Sequence, residues 1–253
     1  MGLGVGDSVA IADMIEQFSW LVLGECGGMA LKPFSGIVLF LSVQVLAGQN
    51  GSPHGLEAQL KQQGLVAIHR LDSSIRVELK YATVDNFMHA NVYGDLRDCY
   101  LQREVAEMLV KAQIQLKKQY PGYSLKVFDG ARPRRVQEIM WGLVKGTDRQ
   151  KYVANPAPGS MHNFGSAVDL TITDEHGVDL DMGTPYDYLG DLAQPRYEDR
   201  FLSEGKLTEV QVGHRILLRN SMASAGFTLI PNEWWHFDAF SRQIVKQRYK
   251  IIE

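Results

Sequence analysis

Two histidines in this sequence stand close to carboxylate side chains, where they could hold a metal ion. His162 lies in the segment SMHNFGSAVD, which ends in Asp169, and His236 ends the segment Glu233-Trp-Trp-His. A turn at Gly165 can bring His162 back against Asp169. Two imidazoles, one carboxylate and a water molecule make up a typical catalytic zinc site with an open fourth position. The alternative is a structural hydrogen bond between His162 and Asp169, because His–Asp pairs at this spacing also occur by chance.

Glu233 is left over when His162, Asp169 and His236 are assigned to the metal. A free carboxylate beside a metal ion can take a proton from water and act as the general base of a hydrolase. The pattern therefore favours a metal-dependent hydrolase. The other histidines lack such a motif and are interpreted as solvated or hydrogen-bonded side chains: His54, His69, His89, His176 and His214.

Hydrophobic periodicity predicts the elements that must position these side chains. Residues 167–173 alternate as in a strand, with Asp169 on the polar face. Further strands are predicted over 125–128 and 234–240, and helices over 101–119, from Pro133 onward and over 208–225. Together they indicate one compact α+β domain with a central, mostly antiparallel sheet flanked by helices and with the zinc site at the sheet.

The helix boundaries and faces can also be predicted. Asp98 could cap the first helix, and Pro133 suits the first turn of the second, where a missing N–H is harmless. The apolar face of the second helix is predicted to be Val136, Ile139, Met140 and Leu143.

Composition limits the classes of protein that fit. The chain has 253 residues, of which 45% are hydrophobic and 22% charged, as in ordinary globular proteins. The net charge of −3 gives no cationic field for nucleic acid, so no nucleic-acid partner is expected. Two cysteines, Cys26 and Cys99, cannot build a cysteine-based zinc cluster, so a metal must be held by His, Asp and Glu.

The N-terminal region has the pattern of a secretory signal peptide. Lys32 precedes a short apolar stretch over 37–47 that ends in Val45-x-Ala47, so cleavage is predicted after Ala47. Residues 1–47 would then be an extension plus signal peptide, and 48–253 an exported, periplasmic enzyme domain without a stable membrane anchor. Residues 1–28 are interpreted as an upstream start or a non-native extension, and 48–64 as a polar lead-in. The alternative for the apolar stretch is a buried helix of a cytoplasmic protein.

Several blocks of the sequence, in order, resemble one enzyme family. Ser160-x-His-x-x-Gly-x-Ala-x-Asp169 and Glu233-Trp-Trp-His236 resemble the zinc D-alanyl-D-alanine dipeptidases, the VanX-like branch of the D,D-peptidases. Tyr81-Ala-Thr-x-Asp-Asn-Phe87, Asp129-Gly-x-Arg-Pro133 and Met182-Gly-Thr-Pro-Tyr-Asp187 are similar to other family blocks. The resemblance covers roughly residues 65–240.

The resemblance implies a role for each residue of the catalytic centre. His162, Asp169 and His236 would hold one zinc ion per chain. Glu233 would be the general base and later pass its proton to the leaving amine. Arg132 would stabilise the oxyanion, since its guanidinium is always charged. The alternative for Arg132 is a salt bridge to Asp129 or a place at the helix start.

The resemblance also implies how a free dipeptide would be recognised at both ends. Tyr81 and Asp187 would hold its ammonium group, and Ser160 would help to fix its carboxylate. The alternatives are core packing for Tyr81, an ordinary loop carboxylate for Asp187, and a turn residue that only orders the His162 loop for Ser160.

Three functions are therefore compared. The first is zinc-dependent hydrolysis of the small dipeptide D-Ala-D-Ala, which the blocks of Tyr81 and Asp187 favour. The second is a zinc D,D- or L,D-carboxypeptidase or endopeptidase acting on peptidoglycan stem peptides, which a cleft open on the ammonium side would favour. The third is a zinc-dependent wall-binding module without activity, against which Glu233 argues.

Overall fold

Residues 55–253 are described by the computed structural model. The predicted leader, residues 1–47, lies outside the described residues, as does His54. The helices of the described part are α1 (Leu56–Gln62), α2 (Arg103–Gln119), α3 (Arg134–Val144), α4 (Glu198–Ser203), α5 (Glu209–Ser224) and α6 (Arg242–Arg248).

The strands form a five-stranded sheet and a separate two-stranded one. They are β1 (Val66–Ala67), β2 (Arg76–Val77), β3 (Tyr100–Leu101), β4 (Ser124–Asp129), β5 (Ala167–Thr173), β6 (Thr228–Leu229) and β7 (His236–Asp238). The larger sheet has the order β2-β4-β5-β7-β6, and β1 pairs with β3. Strands β2 and β4 are parallel, while the other neighbours in the larger sheet are antiparallel. The predicted α+β class is confirmed, with a mixed sheet.

Strand β5 lies in the middle of the larger sheet and is buried along its whole length. Val168, Leu170 and Ile172 point into the main hydrophobic core, as their spacing predicts. The polar face of the strand is also covered, and Asp169 on that face is only 3% exposed. A buried carboxylate needs charged or hydrogen-bonding partners, and it finds them in the cluster described below.

Helix α2 packs against both β4 and α5. The helix begins at Arg103 rather than at Leu101, because Leu101 pairs with Val66 in the two-stranded sheet. The predicted cap at Asp98 is therefore wrong, and Gln102 occupies the N-cap position. The third predicted helix is confirmed as α5.

The predicted apolar face of α3 is only half correct. Val136 and Met140 are buried, but Ile139 and Leu143 are 45% and 57% exposed. Gln137 is buried in their place, and its side-chain amide donates to the carbonyl of Ala154. The buried face of α3 therefore includes the polar side chain of Gln137, which hydrophobic periodicity alone does not predict.

Residues 48–64 are more than a polar lead-in, since they include α1. Leu56 and Leu60, four residues apart, are buried on one side of this helix. Cys99 is a buried free thiol. Within residues 55–253, no helix has the length and apolar character needed to cross a bilayer.

Candidate active site

The predicted metal ligands come from neighbouring positions of the sheet and from the turn that enters it. Asp129 on β4 is the register partner of Asp169 on β5, and Asp169 is in turn the partner of His236 on β7. A row of three polar side chains therefore crosses the sheet. His162 lies in the 3₁₀ turn Met161–Phe164, immediately before β5.

The donor atoms of His162, Asp169 and His236 converge on one point. His162 Nε2 lies 3.2 Å from Asp169 Oδ1 and 3.1 Å from His236 Nδ1, and His236 Nδ1 lies 3.0 Å from the same carboxylate oxygen. Tetrahedral zinc with bonds of about 2.0–2.1 Å separates its ligand atoms by about 3.3 Å. All three residues are buried. The chemistry and spacing of this donor set fit a zinc ion.

Each ligand is also oriented by a partner behind it. The Nδ1–H of His162 donates to the carbonyl of Gly130 at 2.8 Å, which leaves Nε2 free to bind a metal. His236 places its Nε2 2.9 Å from Asp238 Oδ1, so its Nδ1 faces the centre. The hydroxyl of Tyr186 donates to Asp169 Oδ2 at 2.9 Å. These contacts are the outer partners that metal-binding histidines and carboxylates usually have.

The cluster favours positive charge at its centre. Burial alone would raise the pKa of Asp169, but the adjacent His162 and His236 hold it well below its usual range. Burial opposes a charge on His236, yet hydrogen bonds to Asp169 and Asp238 raise its pKa well above the ordinary value. A site that stabilises a carboxylate anion and an imidazolium together also suits a metal cation.

Glu233 lies beside this cluster without joining the three converging donors. Its Oε2 is 4.0 Å from His236 Nδ1, and its side chain is 17% exposed. Burial raises the pKa of Glu233 to about 7. A cation bound by the neighbouring ligands would lower this pKa. A carboxyl group tuned in this range can take up and release a proton near neutral pH.

Arg132 forms the salt bridge that its alternative interpretation predicted, and its role toward an oxyanion stays a prediction. Its Nε and Nη2 donate to Asp129 Oδ2, and its Nη1 donates to Gln137. These bonds use three of the five N–H groups of a guanidinium. Nη2 also lies 3.6 Å from Asp169 Oδ2. The salt bridge therefore exists, and it holds the guanidinium beside the three converging donors. One N–H on each terminal nitrogen of Arg132 is not used by any described residue.

Tyr81 and Asp187, which are far apart in the sequence, are brought together. The Tyr81 hydroxyl lies 3.0 and 3.1 Å from the two carboxylate oxygens of Asp187. Burial, reinforced by the charge of Asp169, raises the pKa of Asp187 well above its usual range. The backbone of Asp187 is left-handed, with a φ of 60°, which is unfavourable for most side chains. A strained, destabilised carboxylate is typical of a functional site.

Ser160 has the role of a turn residue, as its alternative interpretation supposed. It caps the 3₁₀ turn, accepting from the backbone N–H of His162 while its own N–H donates to Asn163. Its hydroxyl proton is not consumed by accepting this bond. Ser160 therefore orders the His162 loop and keeps a donor that a ligand in the cleft could use.

One cleft of about 280 Å³ is lined by every residue that was predicted to bind metal, bind substrate or take part in catalysis. These are Tyr81, Arg132, Ser160, His162, Asp169, Asp187, Glu233 and His236. This volume lies just below the range of about 300–1,000 Å³ usual for small-molecule sites. The cleft therefore suits a small ligand.

Two residues that orient the site, Tyr186 and Asp238, were not predicted from the sequence, whereas Asp129 was predicted only as a possible salt-bridge partner of Arg132. Asp129 was part of a noted motif, and its complete burial beside Arg132 and Tyr93 makes it a structural anchor of the site. Asp238 stands two residues after His236, a spacing that places both on one face of a strand. Tyr186 belongs to the block Met182-Gly-Thr-Pro-Tyr-Asp187, but its contact with Asp169 depends on the fold of a loop and could not be predicted from spacing.

Two histidines and a carboxylate converging in a cleft, with a further carboxyl group beside them, are typical of a metal-dependent hydrolase. Comparison with known proteins agrees with this class. The family model Peptidase_M15, described as D-ala-D-ala dipeptidase, matches residues 61–252. The chain therefore belongs to this family and is a metallopeptidase.

Individual relatives agree with the family assignment. A D-alanyl-D-alanine dipeptidase of Escherichia coli is 32% identical over 174 residues, which are 69% of this chain and 83% of the relative. A D-alanyl-D-alanine dipeptidase of a Synechocystis strain is 29% identical over 54% of this chain and 68% of its own length. A solved structure of the LdcB LD-carboxypeptidase covers 58% of this chain and 63% of its own at 22% identity. Its TM-score of 0.36 is too low to support an argument.

Proposed function

We propose that the protein hydrolyses free D-Ala-D-Ala to two molecules of D-alanine and uses one zinc ion per chain. The proposal rests on one observation: a single small cleft contains three residues able to hold a metal ion and also the strained carboxylate of Asp187, which suits an ammonium group. The names of the relatives point to the same substrate. Asp187 supplies the negative charge that the free amino end of a dipeptide requires.

The proton movements fall to Glu233. A zinc ion held by His162, Asp169 and His236 would polarise the peptide carbonyl and lower the pKa of a water molecule. Glu233 takes one proton from the attacking water while the oxygen of that water forms a bond to the carbonyl carbon. It then gives that proton to the amide nitrogen as the C–N bond breaks. Burial raises the pKa of Glu233 to about 7 and a bound cation would lower it, so the carboxylate form that accepts a proton would be populated at neutral pH.

The remaining polar residues hold the two ends of the dipeptide and its carbonyl group. Arg132 is fixed by Asp129 and offers its unused N–H groups to the carbonyl oxygen as negative charge develops there. Tyr81 and Asp187 receive the ammonium group. The Ser160 hydroxyl donates to the terminal carboxylate. Binding at both ends aligns the scissile bond between the metal cluster and Glu233.

Two substrates test this proposal against its alternatives. The zinc-loaded protein is incubated with D-Ala-D-Ala and with a peptidoglycan pentapeptide that ends in the same pair, and released D-alanine is measured. Cleavage of the free dipeptide alone is the expected result. Efficient cleavage of the pentapeptide would replace this proposal with a carboxypeptidase. Binding of wall fragments without any turnover would instead support the third alternative, a wall-binding module without activity.

We also propose that residues 1–47 are an extension and an export signal cleaved after Ala47. Support comes from the single charge at Lys32, the short apolar stretch and the small residue at the cleavage position. The enzyme would then act in the periplasm on dipeptide derived from the wall. Expression of the full chain with N-terminal sequencing of the periplasmic fraction tests this, and Gly48 is the expected first residue. Intact protein confined to the cytoplasm would refute it.

A further inference from the structure

A second cavity of about 240 Å³ lies beside the cleft. Phe87 and Asp187 line both spaces, so these two side chains stand between them. Lys80, His89 and Pro185 are among the other walls of the second cavity. Because Asp187 belongs to the proposed ammonium site, the second cavity begins where the amino end of a dipeptide would stop.

Phe87 and Asp187 together form a partition between the cleft and the second cavity, and hydrogen bonds to the backbone fix the Phe87 side. The Asn86 side chain donates to the carbonyls of Lys80, Thr83 and Ala90 at 2.8–3.0 Å and accepts from the N–H of Met88. These bonds fix the loop that carries Phe87.

The Phe87 ring itself is partly buried and packs against the main core. Across from it, Asp187 sits in a left-handed conformation within its own loop. Neither side of the partition depends on a freely rotating surface side chain. A wall built in this way can exclude a ligand on steric grounds.

We propose that Phe87 is a specificity-determining residue that limits the substrate to a free dipeptide. The inference rests on the proposed function. One more residue on the amino side of D-Ala-D-Ala would extend the ligand by about 3.3–3.6 Å. That extension has to pass between Phe87 and Asp187 to enter the second cavity. An aromatic ring offers it neither space nor a hydrogen bond.

The partition leads to an expected gain of function. Shortening Phe87 joins the two spaces and leaves the metal ligands, Glu233 and Arg132 in place. A tripeptide can then bind with its last two residues in the cleft and its first residue beyond Asp187. Its C-terminal peptide bond lies in the same position as that of the dipeptide and is hydrolysed by the same residues.

The test compares D-Ala-D-Ala with L-Ala-D-Ala-D-Ala in the zinc-loaded wild type, Phe87→Ala and Phe87→Leu. Consumption of each peptide is followed by mass spectrometry, and kcat/KM is obtained for both. Phe87→Ala is expected to raise the ratio of tripeptide to dipeptide kcat/KM at least tenfold, and Phe87→Leu to raise it less. Thermal melts report folding, and Phe87→Leu decides the matter if the alanine variant fails to fold.

Ile230→Ala is the matched control, because Ile230 is a partly exposed apolar residue that lines the cleft and not the second cavity. Its ratio is expected to stay within twofold of wild type. The inference would be overturned if a folded Phe87 variant kept the wild-type ratio, or if Ile230→Ala raised the ratio equally. It would also be overturned if the wild type cleaved the tripeptide as fast as the dipeptide. If the wild type cleaved neither peptide, the proposed function itself would fail.

Discussion

The four acidic and imidazole side chains at the centre of the site are expected to have separable tasks. His162, Asp169 and His236 direct donor atoms at one point, whereas Glu233 Oε2 stands 4.0 Å from His236 Nδ1. Removing Glu233 therefore leaves the metal-binding donors intact. Removing His162 takes away a predicted metal ligand that is already oriented by the carbonyl of Gly130.

We expect Glu233→Ala to retain zinc and lose turnover, and His162→Ala to lose both. Loss of a general base lowers kcat by about 10²–10⁴-fold. Zinc content after dialysis and kcat on D-Ala-D-Ala are the two measurements. Equal loss of metal in the two variants would remove Glu233 from the role of general base.

Keeping a negative charge at Asp187 for the proposed ammonium ligand is expected to cost stability. Its raised pKa means that the folded protein binds the proton more tightly than the unfolded chain does. The stability contributed by the neutral form is therefore lost as the pH rises above the ordinary aspartate pKa of about 3.9. Its left-handed backbone adds strain, which asparagine tolerates at least as well as aspartate.

Asp187→Asn is thus expected to stabilise the protein at pH 7 while weakening dipeptide binding. A gain of about 1 kcal/mol would raise Tm by about 2–4 °C in a chain of this size, and the gain should shrink toward pH 4. KM should rise by about tenfold or more, because an ammonium loses its charged partner. Asp95→Asn, at an exposed position, is the control and should change neither quantity. A lower Tm for Asp187→Asn at pH 7 would contradict the argument.

Among the elements, α5 is hydrogen-bonded to the start of the loop that carries Asp187. Its N-cap Thr208 accepts from the N–H of Gln211, and the Gln211 side chain accepts from the N–H of Thr208 in return. The Gln211 amide also donates to Asp181, at the start of that loop. The side chain of Gln211 therefore joins the N-terminal end of α5 to the start of the loop.

Thr208→Ala is expected to lower the free energy of unfolding by about 1 kcal/mol, the usual worth of a side-chain cap. Urea denaturation measures the change. Ser241→Ala is the matched control, because Ser241 occupies the N-cap of α6 without a side-chain hydrogen bond to the helix. Equal losses in the two variants would show that the Thr208 cap contributes nothing specific.

On the scale of the whole molecule, the proposed metal site connects parts of the chain that are distant in sequence. His162 and Asp169 come from the turn and strand at the middle of the sheet, and His236 comes from β7. A metal that binds only the folded arrangement stabilises all of these elements together.

Zinc is expected to raise the Tm of metal-free protein, and a chelator to reverse the change. A free concentration 100 times the Kd corresponds to about 2.7 kcal/mol of stabilisation. Differential scanning calorimetry at several zinc concentrations measures it. His236→Ala should show no such rise. A wild-type Tm independent of zinc would argue against the metal site.

Local pattern accounts for much of what could be predicted. The alternation of β5, the periodicity of α2 and α5, and the residue types of the ligand cluster are all encoded in short stretches of sequence. Short segments reveal these features because side-chain direction follows directly from the repeat of a strand or helix. The family blocks likewise point to Arg132, Tyr81 and Asp187, which line one cleft in the structure.

Only the tertiary structure decided which distant residues meet. The register that aligns Asp129, Asp169 and His236 depends on pairing among three strands. The exposure of Ile139 on α3 and the place of Phe87 between two cavities depend on what packs against them. Such contacts join segments separated by many residues, and they form only when the whole core closes. No local spacing in the sequence encodes them.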